Sequence, residues 1–595
     1  MKTHVMLFCL FFSLLTGGTL MAQNIQVSGT VSDYMGPMVS VTVRLQGTGT
    51  GTVTDMDGKY SLQAPANGTL EFSFMGYETQ VVKINKRNVI NITLKESSET
   101  LDEVVVVGYG TVKKRDITGS ISSINEKDLQ SNEPINLGSA LQGKISGLDI
   151  MGTSEPGTAS TFRIRGASSL GEGGSNPLFI VDGMEVASIE SINPRDIASV
   201  EVLKDAASAA IYGSRSANGV ILITTKQGTE GKAKVSLNYS LKQSQIAKTL
   251  PQMSREDGIE YEKLRNYYDG LYNNIANRDS LNPSYTADNY YQELLFRKAY
   301  THQLDASVSG ATEKIKYFMS AGYLDEQGIQ LNTYNKRLTT RMNVDFKASS
   351  RLNIGNRLAL SISDQRRATS ESRYRILQRP ANYNVIEPDG SYTPILASRS
   401  NPLAETMVGK NNYKIYELNL YDFAEYEILK DLKFKASIAG NFYLQKYQSF
   451  RPAILDVNGR RTSANEDYLT TNWTHEDVLT YNKSFNDHAL SALAGFSIQS
   501  YTAETTRLAV LDNISDAIEI SYAYGGVDMS KTYAISTSNR MASFFGRLSY
   551  NYKGRYLVNA NVRYDGSSRF GVDKRWGVFP SVSLGWRFSD EEFMN

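Results

Sequence analysis

The feature that most constrains this chain is a period-two alternation of apolar and polar residues, which recurs through its second half. One such segment places apolar side chains on one strand face: Ile315, Tyr317, Met319, Ala321 and Tyr323. The opposite face of that strand carries polar or small residues: Lys316, Ser320 and Gly322. Alternation over about 10 residues is typical of a transmembrane strand, which faces lipid with every second side chain. Residues 230–595 are therefore predicted to form antiparallel strands of an outer-membrane β-barrel.

Further segments repeat this pattern along the chain. Their apolar positions are Val235, Leu237, Tyr239 and Leu241; Leu338, Met342, Val344 and Phe346; Phe434, Ala436, Ile438 and Phe442; Phe544, Leu548 and Tyr550; and Tyr556, Val558, Ala560, Val562 and Tyr564. Short turns such as Lys553-Gly554 alternate with long polar insertions, 251–289 and 364–410. Short turns are typical of the periplasmic side and long loops of the outside, and tyrosines at strand ends are expected in the interfacial girdle.

The amino terminus carries the pattern of a secretory signal. Lys2 precedes the apolar run Val5–Leu15, and small residues lead to Ala22. This run is shorter than the roughly 20 apolar residues of a spanning helix, so residues 1–22 are predicted to be a signal peptide and Gln23 the first mature residue. The single cysteine, Cys9, lies inside the signal, so the mature chain is expected to lack disulfides.

Charge and side-chain chemistry exclude several classes of function. The chain has 63 Lys and Arg against 62 Asp and Glu, a formal charge of +1, which gives no net field for nucleic acid. Beyond the signal only His302, His475 and His488 remain, and none stands in a metal-binding spacing. There is no nucleophile elbow. We expect no enzyme activity, metal or cofactor, although a pair of carboxylates for glycoside hydrolysis stays open.

Residues 23–98 are predicted to form a small β-sandwich. Val39, Val41, Val43 and Leu45 alternate strictly, which is typical of a half-buried strand. Asp57-Gly58 predicts a hairpin between strands at 52–54 and 60–62. The core is expected to include Phe72, Phe74 and Tyr77.

Residues 99–114 form a linker with an unusual valine run. Its sequence continues from two carboxylates into four valines: Asp102, Glu103, Val104, Val105, Val106 and Val107. Valine has high β propensity, and an unpaired strand can add to the edge of another sheet. One interpretation is a buried strand of the next domain, and the other is a segment gripped by a partner protein.

Residues 115–229 mix short strands with short helices, as in an α+β domain. Strands are predicted near 148–151, 162–164, 178–181, 200–203 and 220–225. Asp182-Gly183 predicts a hairpin turn. Asp205 is placed to begin a helix that ends at Gly213. Charged residues of this domain are expected to bind the barrel wall through weak, partly solvated contacts: Arg163, Arg165, Asp182, Glu201, Lys204 and Asp205.

Three stretches carry a family resemblance. FRIRG (Phe162–Gly166), LFIVDGM (Leu178–Met184) and SVEVLKDAASAAIYGSRSANGVILITTKQG (Ser199–Gly228) follow the valine run in order. Together they resemble the plug of TonB-dependent receptors, specifically the SusC/RagA family. The resemblance makes Asp102–Val107 the TonB-binding box and residues 115–229 the plug. Its plug motif falls on Phe162, Arg163, Arg165, Gly166, Asp182, Gly183, Lys204, Asp205, Tyr212, Gly213, Arg215 and Gly219. Residues 23–98 are similar to a carboxypeptidase regulatory-like domain.

The resemblance implies active import of a large nutrient across the outer membrane. A TonB-ExbB-ExbD complex would pull on the box, and a SusD-like surface lipoprotein would cover a barrel embedded in outer-membrane lipid. The ligand would be an oligosaccharide, or alternatively a peptide. A surface adhesin or structural barrel remains a further alternative. The amide- and tyrosine-bearing stretch Asn382-Tyr383-Asn384 is suited to stack on and hydrogen-bond a sugar, although the same residues also serve any exposed loop.

The predicted strands are too few for a complete barrel of this kind. Plugged outer-membrane transporters have 22 strands, and residues 230–595 supply only about half of them. The final residues, SDEEFMN, do not read as a closing aromatic strand. We expect an amino-terminal part of a longer protein or a truncated gene product, in which residues 24–95 fold alone and the barrel strands do not close.

Overall fold

The fold is described from a computed structural model. It describes residues 24–34, 36–46, 48, 50–74, 77, 79–95, 104–106, 108, 110–168, 174–268, 286–369, 376–377, 379, 381–395, 401–521 and 526–594. The chain divides into two compact units. The first runs to Val104 and includes Lys113–Arg115, and the second comprises the rest. The predicted signal peptide lies outside the described residues.

The first unit is a β-sandwich of two sheets, as predicted. Its strands are β1 (Asn24–Ser32), β2 (Thr42–Leu45), β3 (Gly51–Val53), β4 (Lys59–Pro65), β5 (Thr69–Ser73), β6 (Gln80–Lys83) and β7 (Ile92–Thr93). One sheet has the order β4-β1-β7 and the other β3-β2-β5-β6. Between them lie fully buried side chains such as Val27, Val41 and Phe72, with Phe74 and Tyr77 packed at the margin.

Two details of this unit differ from expectation. Val39 is 50% exposed, because Ser40 has a positive φ of 62° and the inward alternation starts only after this turn. The turn at Asp57-Gly58 is present, with a φ of 70° at Gly58, but it joins strands of different sheets. The predicted hairpin is therefore wrong, since β3 pairs with β2 and β4 pairs with β1.

The linker forms a small two-stranded sheet of β8 (Val104–Val106) and β9 (Thr111–Lys113), followed by a 3-10 turn at Lys114–Asp116. Of the predicted TonB box, Asp102, Glu103 and Val107 lie outside the described residues. The valine run is thus a strand for three residues at least, in agreement with its β propensity.

The plug is a five-stranded sheet flanked by short helices and a hairpin. Its strands are β10 (Ile121–Asn125), β11 (Leu148–Met151), β12 (Thr161–Ile164), β13 (Leu178–Val181), β14 (Met184–Val186), β15 (Ile197–Leu203) and β16 (Val220–Thr225). The helices are α1 (Glu126–Gln130), α2 (Leu137–Leu141) and α3 (Ala206–Ala209), with 3-10 segments at Pro194–Asp196 and Ala210–Ser216. The sheet order is β10-β15-β16-β13-β14, and β11 pairs separately with β12. All five strands predicted for the plug are present.

The remaining strands form one antiparallel sheet, thirteen-stranded within the described part of the chain. They are β17 (Gly231–Ser244), β18 (Ala299–Ala311), β19 (Ile315–Gln327), β20 (Tyr334–Lys347), β21 (Leu352–Arg366), β22 (Lys410–Leu429), β23 (Leu432–Arg451), β24 (Thr462–Phe485), β25 (His488–Leu511), β26 (Gly526–Val527), β27 (Tyr533–Tyr552), β28 (Tyr556–Ser567) and β29 (Trp576–Trp586). Neighbours in sequence pair in order, except that β27 pairs with β25 beside the short β26. Further 3-10 turns lie at Ala453–Leu455, Val572–Lys574 and Phe588–Asp590.

The two faces of this sheet follow the predicted alternation. The outward face of β17 carries Val235, Leu237, Tyr239 and Leu241, all exposed. The register of each pair keeps apolar rows together, for example Tyr323 opposite Leu338 and Leu338 opposite Ile362. The other face is the lumen wall, where Asp305, Arg341 and Arg563 are buried. No helix among the described residues is long and apolar enough to cross a membrane.

The described parts of two long connections of the barrel pack against each other. They contain α4 (Arg255–Tyr268), α5 (Tyr291–Leu295) and α6 (Pro402–Met407). Tyr291 and Tyr383 are fully buried between them. The amide oxygen of Asn384 accepts a hydrogen bond from the backbone N–H of Ala287 (2.8 Å). Asn382 is also buried, so the stretch 382–384 joins the loops and does not offer the exposed sugar-binding surface that was expected.

The sandwich provides a pH-dependent stability prediction at Tyr60. Its hydroxyl donates to the Ile90 carbonyl (2.9 Å), its ring packs on Phe72, and burial raises the pKa of Tyr60 to about 12. Because the folded state favours the neutral phenol, this stability is complete below the ordinary pKa of 10 and is lost as pH rises from 10 to 12.

Chemical denaturation of residues 24–95 across this pH range measures the effect. Tyr60→Phe should lower the unfolding free energy at pH 7 by about 1 kcal/mol and remove this part of the alkaline loss. Tyr34→Phe is the matched control, since Tyr34 is 77% exposed. An identical alkaline loss in Tyr60→Phe and wild type would contradict the assignment.

Candidate functional site: the plug and its contacts with the barrel wall

The tip of the β13–β14 hairpin meets the barrel wall through a carboxylate. Asp182 and Gly183 both have positive φ, 50° and 95°, as a tight hairpin turn requires. The Asp182 carboxylate accepts from the Thr225 backbone N–H (2.9 Å) and hydroxyl (2.6 Å) inside the plug. Arg341 of the wall lies 3.5 Å from the same carboxylate, and both side chains are 8% exposed. The predicted turn therefore also forms a buried ionic contact.

A second contact joins the 3-10 turn before β15 to strand β18. Asn193 donates through Nδ2 to Asp305 Oδ1 (2.6 Å), and Arg195 Nε lies 3.1 Å from Asp305 Oδ2. Gly322 makes this approach feasible, because a Cβ there would lie 2.6 Å from Asn193 Nδ2. A wall glycine opposite a plug side chain allows the close packing that this contact needs.

The third contact is an anchor formed by residues 211–213. The Ile211 side chain is buried among three wall residues, Val478, Leu493 and Phe545. Its carbonyl accepts from Arg563 Nη1 (2.7 Å), while Arg563 Nε donates to Asp565 (2.7 Å). Gly213 has a φ of 73°, and a Cβ there would lie 2.8 Å from Arg563 Nε. The anchor thus combines an apolar contact, a buried charge pair and a backbone conformation suited to glycine.

The chain leaving the valine run passes directly over this anchor. A Cβ at Gly108 would lie 2.7 Å from Ile211 Cγ2 and 3.6 Å from the Tyr212 hydroxyl oxygen. A Cβ at Gly110 would lie 3.4 Å from Arg547 Nη2 of the wall. The segment between the predicted TonB box and the plug therefore contacts the residues that fasten the plug to the wall.

Other plug motif residues hold the plug together or line its surface. Phe162 packs edge-on against Phe179, with ring centroids 5.3 Å apart. Asp205 caps α3 by accepting from the Ser208 N–H (2.9 Å). Lys204 donates to the Ser146 carbonyl (2.8 Å). The Gly219 carbonyl accepts from the Leu178 N–H (3.0 Å).

The FRIRG residues and Arg215 occupy different environments. Arg163 is half-buried, while Arg165 and Gly166 are exposed at positive φ values of 57° and 95°. Arg215 pairs with Glu185 of the plug and donates to Gln499 of the wall (2.6 Å). Lys204 and Asp205 were expected to bind the wall, but their described hydrogen bonds join one plug element to another, so this expectation is wrong.

The expectation of partly solvated contacts is also wrong for the ionic contacts of Asp182 with Arg341 and of Arg195 with Asp305. Burial raises the pKa of the Asp196 carboxyl, and the Arg341 guanidinium opposes that shift. Burial likewise raises the pKa of the Glu190 carboxyl and of the Tyr212 hydroxyl. Removing one partner of a buried ion pair costs more stability than removing one partner of an exposed pair, because it leaves a buried charge without compensation.

The wall partners of the plug were not singled out by sequence reasoning. Alternation places Asp305, Arg341 and Arg563 on the lumen face, but it gives no height along the barrel, and Arg587 follows the end of β29. Arg587 contacts Asp116 (2.7 Å), far away in sequence. The sequence signal that could have identified these wall partners is a charged residue at an inward-facing position of a barrel strand. Among the described residues there is no group of His, Cys, Asp or Glu arranged to hold a metal ion.

Gly213→Ala is predicted to loosen the plug from the wall. The substitution forces a Cβ against Arg563 in a backbone region that favours glycine, which costs on the order of 1–3 kcal/mol in strain alone. Hydrogen exchange of amides 206–216 in the purified full-length protein should accelerate by about tenfold or more. Gly143→Ala is the control, because Gly143 also has a positive φ (74°) but open space around it. Equal exchange in the two variants would argue against the anchor.

Comparison with known families matches three consecutive parts of the chain. Residues 27–106 match the CarboxypepD_reg-like domain, residues 113–220 the TonB-dependent Receptor Plug Domain, and residues 355–591 the TonB dependent receptor-like, beta-barrel model. The order agrees with the sandwich, plug and antiparallel sheet of the structure.

Individual relatives extend this agreement over nearly the whole chain. TonB-dependent receptor P39 of Formosa agariphila is 35% identical over 98% of this chain, and TonB-dependent receptor SusC of Bacteroides thetaiotaomicron is 32% identical over 96%. The chain spans 57% and 59% of their lengths. The RagAB peptide importer in its open-open state superposes with a TM-score of 0.71 at 25% identity, covering 83% of this chain and 59% of that one. The chain belongs to the SusC/RagA family of TonB-dependent receptors.

Proposed function

We propose that the whole protein imports a large nutrient, an oligosaccharide, across the outer membrane by TonB-dependent active transport. The observation that carries the proposal is the adjacency of the coupling segment and the plug anchor. Gly108 lies against Ile211 and Tyr212, and the Ile211 carbonyl accepts the hydrogen bond from Arg563. A force applied ahead of Gly108 is therefore delivered at the point that fastens the plug.

The contacts that hold the plug are suited to release and re-formation. Asp182, Asn193, Arg195 and Arg215 meet the wall through polar side chains, whose partners water can replace when the plug moves. A plug held chiefly by apolar packing would instead expose hydrophobic surface on moving. Polar fastening thus supports a plug that moves and returns.

The force would come from a periplasmic TonB-ExbB-ExbD complex acting on residues 102–107. Strand addition is the recognition mode that fits a valine-rich segment, and Val104–Val106 already has strand conformation. To be gripped in this way, the segment exchanges its pairing with Thr111–Lys113 for pairing with the partner. An exported protein with a periplasmic sandwich domain completes this arrangement.

A SusD-like surface lipoprotein is the proposed outer partner, covering the barrel from above. The similarity to SusC and to one component of the RagAB importer supports this pairing. RagAB is a peptide importer, and this similarity favours a peptide ligand as the second candidate. Both ligand candidates imply a transporter. We therefore propose that the protein is a transporter and neither an enzyme nor a passive adhesin.

The proposal is tested by Val105→Pro in the full-length protein in its native cells. Proline removes a backbone donor and blocks strand addition, so energised uptake of a labelled oligosaccharide should fall to the level of a gene deletion. Val105→Ile keeps the strand propensity and should transport normally. Collapse of the proton gradient should abolish wild-type uptake, while cell-surface levels stay equal. Unchanged uptake in Val105→Pro would contradict TonB-dependent import, whereas persistent cell adhesion without uptake would favour the adhesin.

A further inference from the structure

Five half-buried tyrosines face the lumen on four adjacent strands of the barrel wall, in addition to the buried Tyr421. They come from β22 to β25: Tyr413, Tyr443, Tyr447, Tyr468 and Tyr501. The strand registers place them on the inward face, since Tyr413 pairs with Tyr447 and Tyr443 pairs with the buried Glu417. We call this set the tyrosine patch. Tyrosine at a barrel strand is expected on the lipid face near the interface, so an inward group requires a separate reason.

The rings of the patch contact one another across the strands. Tyr413 and Tyr447 have ring centroids 4.8 Å apart, and Tyr443 and Tyr468 lie 6.2 Å apart at a near-perpendicular angle. Tyr501 lies on the neighbouring strand opposite Asn472, on the same face as Tyr468. All five side chains are half-buried, so the patch keeps part of each ring open to the lumen. Mutual packing restricts the rings, which lowers the entropy lost when a ligand binds.

The charged residues around the patch are already engaged. Arg507 forms an ion pair with Glu466 (3.0 Å) and lies over the Tyr447 ring. Arg367 stacks on Tyr413, 4.2 Å from the ring centroid, and donates to the Gln365 side chain (2.7 Å). Glu466 therefore compensates the charge of Arg507, while Arg367 is held by a ring, a side-chain amide and a backbone carbonyl. Aromatic faces, hydroxyls and amides form the remaining surface offered to a ligand.

The patch also lies beside the plug. Arg367 donates to the Gly157 carbonyl of a plug loop (3.0 Å), and Glu155 of that loop accepts from the Ala368 N–H (2.6 Å). One residue, Arg367, therefore contacts both the plug loop and a ring of the patch. A ligand resting on the patch would touch the part of the wall to which this loop is attached.

We propose that the tyrosine patch is the binding surface for a neutral oligosaccharide chain. This rests on the proposed import function and specifies its ligand. Sugar rings present apolar C–H faces that stack on aromatic rings, together with hydroxyls that match phenol and amide groups. A peptide brings charged termini and side chains, whereas the two arginines beside the patch are already held by Glu466, by the Gln365 amide and by the Gly157 carbonyl.

Binding to the purified full-length protein tests the patch separately from transport. The probes are heptasaccharides of the malto-, cello-, xylo-, manno- and fructo- series, and a pool of short charged peptides, titrated calorimetrically. At least one neutral heptasaccharide should bind, and Tyr447→Ala or Tyr468→Ala should weaken that binding by about tenfold or more. Tyr447→Phe, which keeps the stacking ring, should stay within about threefold.

Tyr416→Ala is the matched control, because Tyr416 lies on β22 with its side chain on the lipid face. It should leave binding unchanged. Heat-modifiable migration of each variant shows that the barrel is intact. The patch assignment is overturned if the alanine variants of an intact barrel bind normally, if only peptides bind, or if no heptasaccharide binds. If uptake depends on the TonB box but the tyrosine variants take up ligand normally, the proposed import function stands and the proposed role of the tyrosine patch is wrong.

Discussion

The structure depends on one constraint, the pairing of backbone N–H and C=O groups where water is absent. An antiparallel ladder satisfies these groups between strands and gives every strand two faces. The outer face of the sheet carries apolar side chains such as Leu237 and Leu338. The inner face can hold charges, and Asp305, Arg341 and Arg563 are buried there only because groups of the plug meet them. The polar lumen thus dictates how the plug is fastened.

Buried charge pairs and apolar packing have different roles at this interface. A buried ion pair adds little net stability over an apolar substitute, but it demands one geometry and penalises others. Asp182 with Arg341 and Arg195 with Asp305 therefore set the position of the plug in the wall. Apolar contacts with the wall occur at Ile211, next to the coupling segment at Gly108, and in the plug core, which includes Tyr421 and Ala439 of the wall. The ionic contacts thus fix the position of the plug, and the Ile211 contact lies where a force on the coupling segment would act.

Much of the plug could be predicted from the sequence, and most of its wall contacts could not. Strands 178–181 and 220–225 and the turn at Asp182-Gly183 follow from local pattern and turn chemistry, and all are present. Asp205 and Lys204 were expected at the wall but bind within the plug, because a charge pattern does not reveal which side of a small domain a residue faces. The sugar-binding stretch expected at 382–384 is buried by a loop almost a hundred residues away in sequence.

The sequence by itself determined the strand faces, the tight turns and the order of sandwich, plug and sheet. These properties are local, since period-two alternation and the positive φ at Gly58 or Gly183 involve only neighbouring residues. The tertiary structure decided that Asp57-Gly58 joins two sheets, which wall charges meet the plug, and that five tyrosines form one inward patch. Alternation gives a side chain its face, but its height in the barrel depends on the register of every intervening strand pair.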